Sequence, residues 1–358
     1  MTVVVTILVY LLIMMVLVLV HELGHFLTAR AFGVGVEEFG IGFPPRLWSK
    51  KKGETTYSIN AFPLGGFVKL AGEEDPKVER SLAGKSRGVR ALVLSAGALM
   101  NLILPVILIT IAFMIPHTVV NEPLIVSSVD AGSPAALGGF QSGDIILDIN
   151  NHPVESTSEV QRYVEINLGK SVLFTVKHTD GTIADITVVP RWNPPSGEGA
   201  VGIRYDSEAI LSQRVISKES EPFWRAIPLG IKECYETFVL YKNGIISMII
   251  GTTPVVLLGP VGVAQITGEV VQAGISPLLE FAAMFSFSIG IFNLFPLPAL
   301  DGGRIAFVVL EWLRRGKRVS AKTEGLVHMI GFALLMVLIV FVTYKDILRI
   351  ILGQNVLG

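Results

Sequence analysis

The stretch VLVLVHELGHFLTAR, residues 16–30, sets two histidines and a glutamate inside an otherwise apolar run. His21 and His25 are four residues apart, so on a helix they share a face and can both reach one metal ion. Glu22 stands beside that face and can take a proton from a metal-bound water, the chemistry of a zinc hydrolase. Ionisable groups at bilayer depth are expensive, and where they occur they mark a functional site.

A catalytic zinc takes a third protein ligand and keeps one position open. The other ionisable residues near membrane depth are Glu280, Asp301, Glu311, Glu324 and His328. Glu280, Glu311 and Glu324 fall near the ends of apolar segments. Asp301 lies in NLFPLPALDGG, residues 293–303, where Pro296 and Pro298 remove helix hydrogen bonds and Gly302-Gly303 loosen the chain. Broken backbone in a bilayer is tolerated where it is buried or lines a cavity, so a carboxylate there reads as a ligand. His328 is the runner-up as ligand, and a hydrogen-bonded span histidine is its expected role. His21 is nine residues before Arg30 and Asp301 thirteen before Arg314. At about 1.5 Å per residue they lie roughly 14 and 20 Å from the basic flanks, so the two motifs can meet.

The elements that must position these groups are membrane spans. The chain has 358 residues, 51% hydrophobic and 16% charged, with a mean hydropathy of +0.60. Soluble domains carry nearer a quarter charged residues, which points to an integral membrane protein with some soluble mass. Four apolar segments approach the roughly 20 residues a span needs: Val3–Phe26, Ala91–Ile115, Phe281–Leu300 with its continuation to Leu313, and Leu326–Tyr344. A fifth, Ile245–Val263, is broken by Gly251, Pro254, Gly259 and Pro260 and reads as interfacial or re-entrant. No Lys or Arg precedes Arg30, so the first segment is expected to be a retained span rather than a signal peptide. The net charge of −1 gives no sign of a nucleic-acid partner. The lone cysteine, Cys234, excludes an intramolecular disulfide framework and reads as a small buried filler.

Orientation follows from the basic loops. Segment 30–90 carries eleven Lys/Arg, and the link 314–322 carries Arg314, Arg315, Lys317, Arg318 and Lys322, so both are expected on the cytoplasmic side. The long segment between spans two and three then lies outside. From Leu124 to Val189 it shows short β-rich runs (LIVSSV, DIILDIN, SVLFTVKH, IADITVVP) separated by turns at Gly132, Gly143-Asp144, Asn150-Asn151 and Asp180-Gly181, with a polar helical stretch near Thr157–Leu168. The piece SPAALGGFQSGDIILDINNHPV resembles the core signature of a PDZ domain, a module that binds extended chain ends by adding a strand to a sheet edge. Segment Phe39–Ala71 also reads as β structure, with a turn at Lys52-Gly53-Glu54 and strands TTYSI and FVKL. Gly65-Gly66 would let backbone come close to something, and the hairpin is expected to present an extended substrate to the active site.

Taken together, HELGH in the first span, the PDZ-like insert after the second, SAGALMNLILP at 95–105, GPVGVAQITGE at 259–269 and NLFPLPALDGG resemble the site-2 protease family of intramembrane zinc metalloproteases, peptidase family M50. The nearest branch is the bacterial regulators of sigma-E-type envelope signalling. The resemblance implies zinc held by His21, His25 and Asp301, Glu22 as general base, and Asn293 holding substrate or the developing oxyanion. It places Asn101 in a family-like motif, with packing as its expected role. One departure is a single PDZ signature where many relatives carry two. The implied substrates are single-span membrane proteins, an anti-sigma factor or signal-peptide remnants, and the implied location is the bacterial inner membrane, with the active site near the cytoplasmic side.

The expected fold is thus a multi-pass α-helical membrane protein of about four transmembrane helices, with a cytoplasmic-side membrane-associated β-hairpin and an inserted extracytoplasmic β-rich PDZ domain. Its expected divisions are 1–118 (two spans and the β region), 119–206 (PDZ-like), 207–278 (a linker with amphipathic or re-entrant segments) and 279–358 (the last two spans). The expected function is hydrolysis of peptide bonds within or near transmembrane segments, with Zn2+ as cofactor, Glu22 as catalytic residue, and Asn293, Gly65 and Gly66 touching substrate. A broken-helix transporter or a non-catalytic PDZ scaffold is the alternative.

Overall fold

The computed structural model describes residues 3–73, 75–253 and 257–353. Two compact units are present, Met1–Ala112 with Leu257–Gly358, and Phe113–Val256. Among the described residues, four helices are long and apolar enough to cross a membrane.

The first is α1, Val3–Ala31, which carries the HELGH motif on its inward side, with Leu17, His21, Gly24, His25, Phe26 and Ala29 buried. A two-stranded sheet follows, β1 (Val36–Lys52) and β2 (Thr55–Leu70). Both strands are longer than the runs TTYSI and FVKL, and their register is irregular. Phe39 stands opposite both Val68 and Tyr57, and Ile41 opposite both Gly66 and Ile59. Residues 38–41 therefore have partners on two sides, and the ends of β2 fold around them. Phe26 of α1 packs edge-on against Phe39 and Tyr57, which seats the sheet on the helix. The second span, α2 (Arg87–Met114), keeps Pro105 inside the helix.

The Phe113–Val256 unit is β-rich. It begins with β3 (His117–Asn121) and β4 (Val126–Val129), then a short α3 (Pro134–Gly138). The Ser133 hydroxyl caps α3 by accepting from the Ala136 amide, and Gly139 ends it in a left-handed conformation. Then come β5 (Ile145–Ile149), β6 (His152–Pro153), α4 (Thr157–Ile166), β7 (Val172–Lys177) and β8 (Ile183–Val188). Asn150 and Asn151 both adopt positive φ, which makes the tight turn between β5 and β6. The sheet order is β6-β5-β7-β8, and a separate pair joins β4 to β9 (Ile203–Tyr205). Along β7, Val172, Phe174 and Val176 are buried while the residues between them face outward, the period of a half-buried strand. They join Val126, Ile146, Ile149, Ile186 and Val188 in one core.

The stretch expected as a linker, 207–278, is largely helical. It holds α5 (Ser207–Gln213), β10 (Val215–Glu219), which pairs with β3, and α6 (Phe223–Ile249), a 27-residue helix. The α6 helix belongs to the β-rich unit. Arg162 of α4 pairs with Glu233 and Glu236, and the Asn243 amide donates to the carbonyls of Glu165 and Ile166 at the end of α4. Cys234 is buried on α6, as a filler should be. Of the break expected in Ile245–Val263, Pro254 to Val256 lie outside the described residues.

From α7 (Pro260–Ala273) onward the chain returns to the membrane unit. The third apolar segment begins earlier than expected. It is α8 (Ile275–Leu294), interrupted over 295–300, then α9 (Asp301–Leu313). The last span is α10 (Ala321–Ile351).

Candidate metal centre

His21 and His25 lie one turn apart on α1 and are both buried, 8% and 6% exposed. Asp301 is the first residue of α9. Its Oδ2 lies 3.0 Å from His21 Nε2 and 3.2 Å from His25 Nε2, and the two Nε2 atoms are 3.2 Å apart. Among the described residues these three form the one group of His, Cys, Asp or Glu side chains with metal-ligand spacing. The ligands expected from sequence thus converge, from positions 276 residues apart.

The donor set fits zinc. His25 Nδ1 donates to the Val93 carbonyl of α2 at 2.8 Å, which fixes the tautomer and leaves the Nε2 lone pair facing inward. Two imidazole nitrogens and a carboxylate oxygen converging on one point are the donor types that a zinc ion takes. Ligand atoms at the vertices of a tetrahedron about 2.0–2.1 Å from a zinc stand about 3.3 Å apart, close to the separations seen. Two histidines and one carboxylate leave the fourth position for water. His21 Nδ1 is buried with no hydrogen-bond partner, room for an outer-shell water or polar group.

Glycines make this approach possible. A Cβ on Gly97 of α2 would fall against the Nε2 atoms of both histidines, and one on Gly24 of α1 would strike the Ala96 carbonyl. Gly97 and Gly24 let α1 and α2 close on the metal face. Neither carried a role in the sequence reading, although SAGALMN and HELGH contain them. The signal was a small residue facing the ligands, visible only once the two helices are paired.

Glu22 is half-buried on α1 beside the ligands. The sheet comes up to it: a Cβ on Gly66 would stand 3.8 Å from Glu22 Cγ. Gly65, at φ +129°, rests against Val18 of α1, where a Cβ would be 2.9 Å from Val18 Cγ1. Gly65 and Gly66 are thus where β2 meets the helix of the metal ligands. Asn293 sits half-buried on the last turn of α8, eight residues before Asp301.

His328 is not in the metal group. Its Nδ1 accepts from the Ala299 amide at 2.9 Å, in the interruption that precedes Asp301. Asn101 is fully buried in α2, and its backbone carbonyl accepts from the Ser286 hydroxyl of α8 at 2.8 Å.

The sequence profile of Peptidase family M50 matches residues 9–338. A Clostridium acetobutylicum protein described as a candidate zinc metalloprotease is 36% identical over 93% of this chain and 94% of its own. The zinc metalloprotease RasP of Oceanobacillus iheyensis is 30% identical over 97% of this chain and all of its own, and the regulator of sigma-W protease RasP of Bacillus subtilis is 28% identical over 97% and 99%. Among solved structures, the PDZ domain of an SdrC-like protein of Listeria innocua covers 24% of this chain and 93% of its own at 25% identity, with a TM-score of 0.21. With a buried histidine pair and an aspartate at zinc-ligand spacing, and a family match over nearly its whole length, the chain belongs to peptidase family M50, the site-2 protease family of intramembrane zinc metalloproteases.

Proposed function

We propose that His21, His25 and Asp301 hold the zinc, and that Glu22 moves the proton in cleavage of single-span substrates near the cytoplasmic side of a bacterial inner membrane. The observation that carries this is the meeting of His21, His25 and Asp301 with Glu22 alongside. When bound, the metal supplies a Lewis acid that polarises a carbonyl and makes a water acidic. Glu22 takes the proton of the attacking water and gives it to the leaving amine nitrogen. The Asn293 amide donates to the oxygen on which charge develops. A scaffold has no use for such a group.

A membrane helix hides its amides in its own hydrogen bonds, so the substrate must unwind before it can be cut. Pairing the unwound stretch with a strand of the β1–β2 sheet replaces those bonds. The closeness of Gly66 to Glu22 supports this role. The β-rich insert, which carries the PDZ-like signature, lies outside and passes substrates whose outer parts are already trimmed. An anti-sigma factor or a signal-peptide remnant has that form, and the sigma-W regulator among the relatives favours the first.

The test is to reconstitute the protein with a single-span substrate and map product ends by mass spectrometry. Cuts inside the apolar segment, stopped by 1,10-phenanthroline and restored by zinc, are expected. Cuts confined to segments outside the membrane would overturn the intramembrane assignment.

A further inference from the structure

The interruption between α8 and α9 must satisfy its own backbone at membrane depth, where an unpaired amide is costly. Pro296 and Pro298 have no N–H. The Phe295 amide donates to Phe292, Leu297 to Phe295, and Leu300 to Leu297. The Ala299 amide instead donates to His328 Nδ1 of α10 at 2.9 Å. It is the one amide of the interruption satisfied by a side chain from another span.

Ala299 is also the strained position. Its φ is +77°, a conformation that a residue with a Cβ rarely adopts. The next two peptide bonds lead to Asp301, so Ala299 sets the direction in which the aspartate enters the metal group. His328 holds this turn from outside, and its neighbours on α10 close the clasp. A Cβ on Gly331 would collide with Pro298, and one on Gly303 would stand 3.2 Å from His328 Cε1. The His328 ring lies 5.7 Å from that of Phe307 on α9. Few α10 residues are buried, Val342 and Asp346 near its far end, which makes the His328–Gly331 region its contact with the turn.

We propose that His328 is a positioning residue for the metal centre, holding the Ala299 turn so that the Asp301 carboxylate faces His21 and His25. This rests on the zinc assignment above. The metal ligand is oriented through backbone, from a span that carries none of the ligands.

The test compares wild type, His328→Ala, His328→Asn and Gly331→Ala as full-length protein in detergent. Zinc affinity is read by competition with a chromophoric chelator, and ligand geometry by the visible spectrum of the Co2+-loaded form. His328→Ala is expected to lose about ten-fold or more in zinc affinity, the scale of an outer-shell partner, and to change the Co2+ spectrum. His328→Asn carries an acceptor at nearly the Nδ1 position and is expected to restore both. In cleavage, kcat should fall for His328→Ala with KM little changed. Gly331→Ala pushes α10, and His328 with it, away from the turn at Pro298 and should weaken zinc in the same direction, which covers the case in which His328→Ala does not accumulate. Wild-type affinity and spectrum in folded His328→Ala, or equal losses in His328→Ala and His328→Asn, would overturn the proposal while leaving the zinc assignment intact. A wild type that binds no zinc removes the zinc assignment and this proposal with it.

Discussion

At the scale of single residues, the centre depends on what is missing from Gly97 as much as on what His21, His25 and Asp301 supply. Any side chain at Gly97 occupies the space between the two Nε2 atoms and α2. Gly97→Ala is therefore expected to bind well under one zinc per chain by atomic emission on purified protein, while Gly88→Ala, at a position where a Cβ meets open space, keeps its metal. Equal zinc in the two variants would show that α2 yields more easily than close packing allows. The histidine pair and Glu22 were legible because HExxH carries its own spacing rule. Asp301 was legible because prolines and glycines surround a carboxylate at span depth. Gly97, Gly24 and the Val93 carbonyl were not, since their roles exist only where α1 and α2 lie side by side. His328 was legible as a hydrogen-bonded span histidine rather than a ligand, but its partner, the Ala299 amide, is one that no residue type announces.

Among the elements, two irregular ones carry the chemistry. The turn before α9 folds back so tightly that a Cβ on Gly302 would overlap the Phe295 carbonyl. Gly302→Ala is expected to destabilise the protein by about 1–3 kcal/mol, as overpacking does, and to lower zinc occupancy with it, read from thermal unfolding with and without added zinc. The β1–β2 sheet makes a separate contribution. Gly65→Ala puts a Cβ at φ +129° beside Val18 and shifts the strand that approaches Glu22. Zinc content should be unchanged and kcat/KM should fall several-fold; a loss of zinc instead would mean the sheet supports the metal site rather than the substrate. The hairpin was legible from its turn residues, but the strands were read too short, because local alternation cannot show that residues 38–41 pair on both sides. The association of α6 with the β-rich unit was not legible, because its contacts with Arg162 and the end of α4 exist only in three dimensions.

For the whole molecule, hydropathy gave the number of spans, since a bilayer imposes length and composition more strictly than a soluble core does. Sidedness is a prediction drawn from the basic loops. With Cys234 replaced by Ala, a cysteine at Lys317 should react with an impermeant maleimide only after the inner face is opened, and one at Asp180 in the β-rich unit should react in intact cells. The reverse pattern would invert the topology. In the proposed function, one glutamate serves a zinc held by three residues from two distant spans. Counting zinc in wild type and Glu22→Gln, and incubating each with a single-span substrate, tests this. About one zinc in both, with cleavage in wild type and a loss of about 100-fold or more in the variant, is the predicted result. Undiminished cleavage by Glu22→Gln, or no zinc in folded wild type, would contradict it.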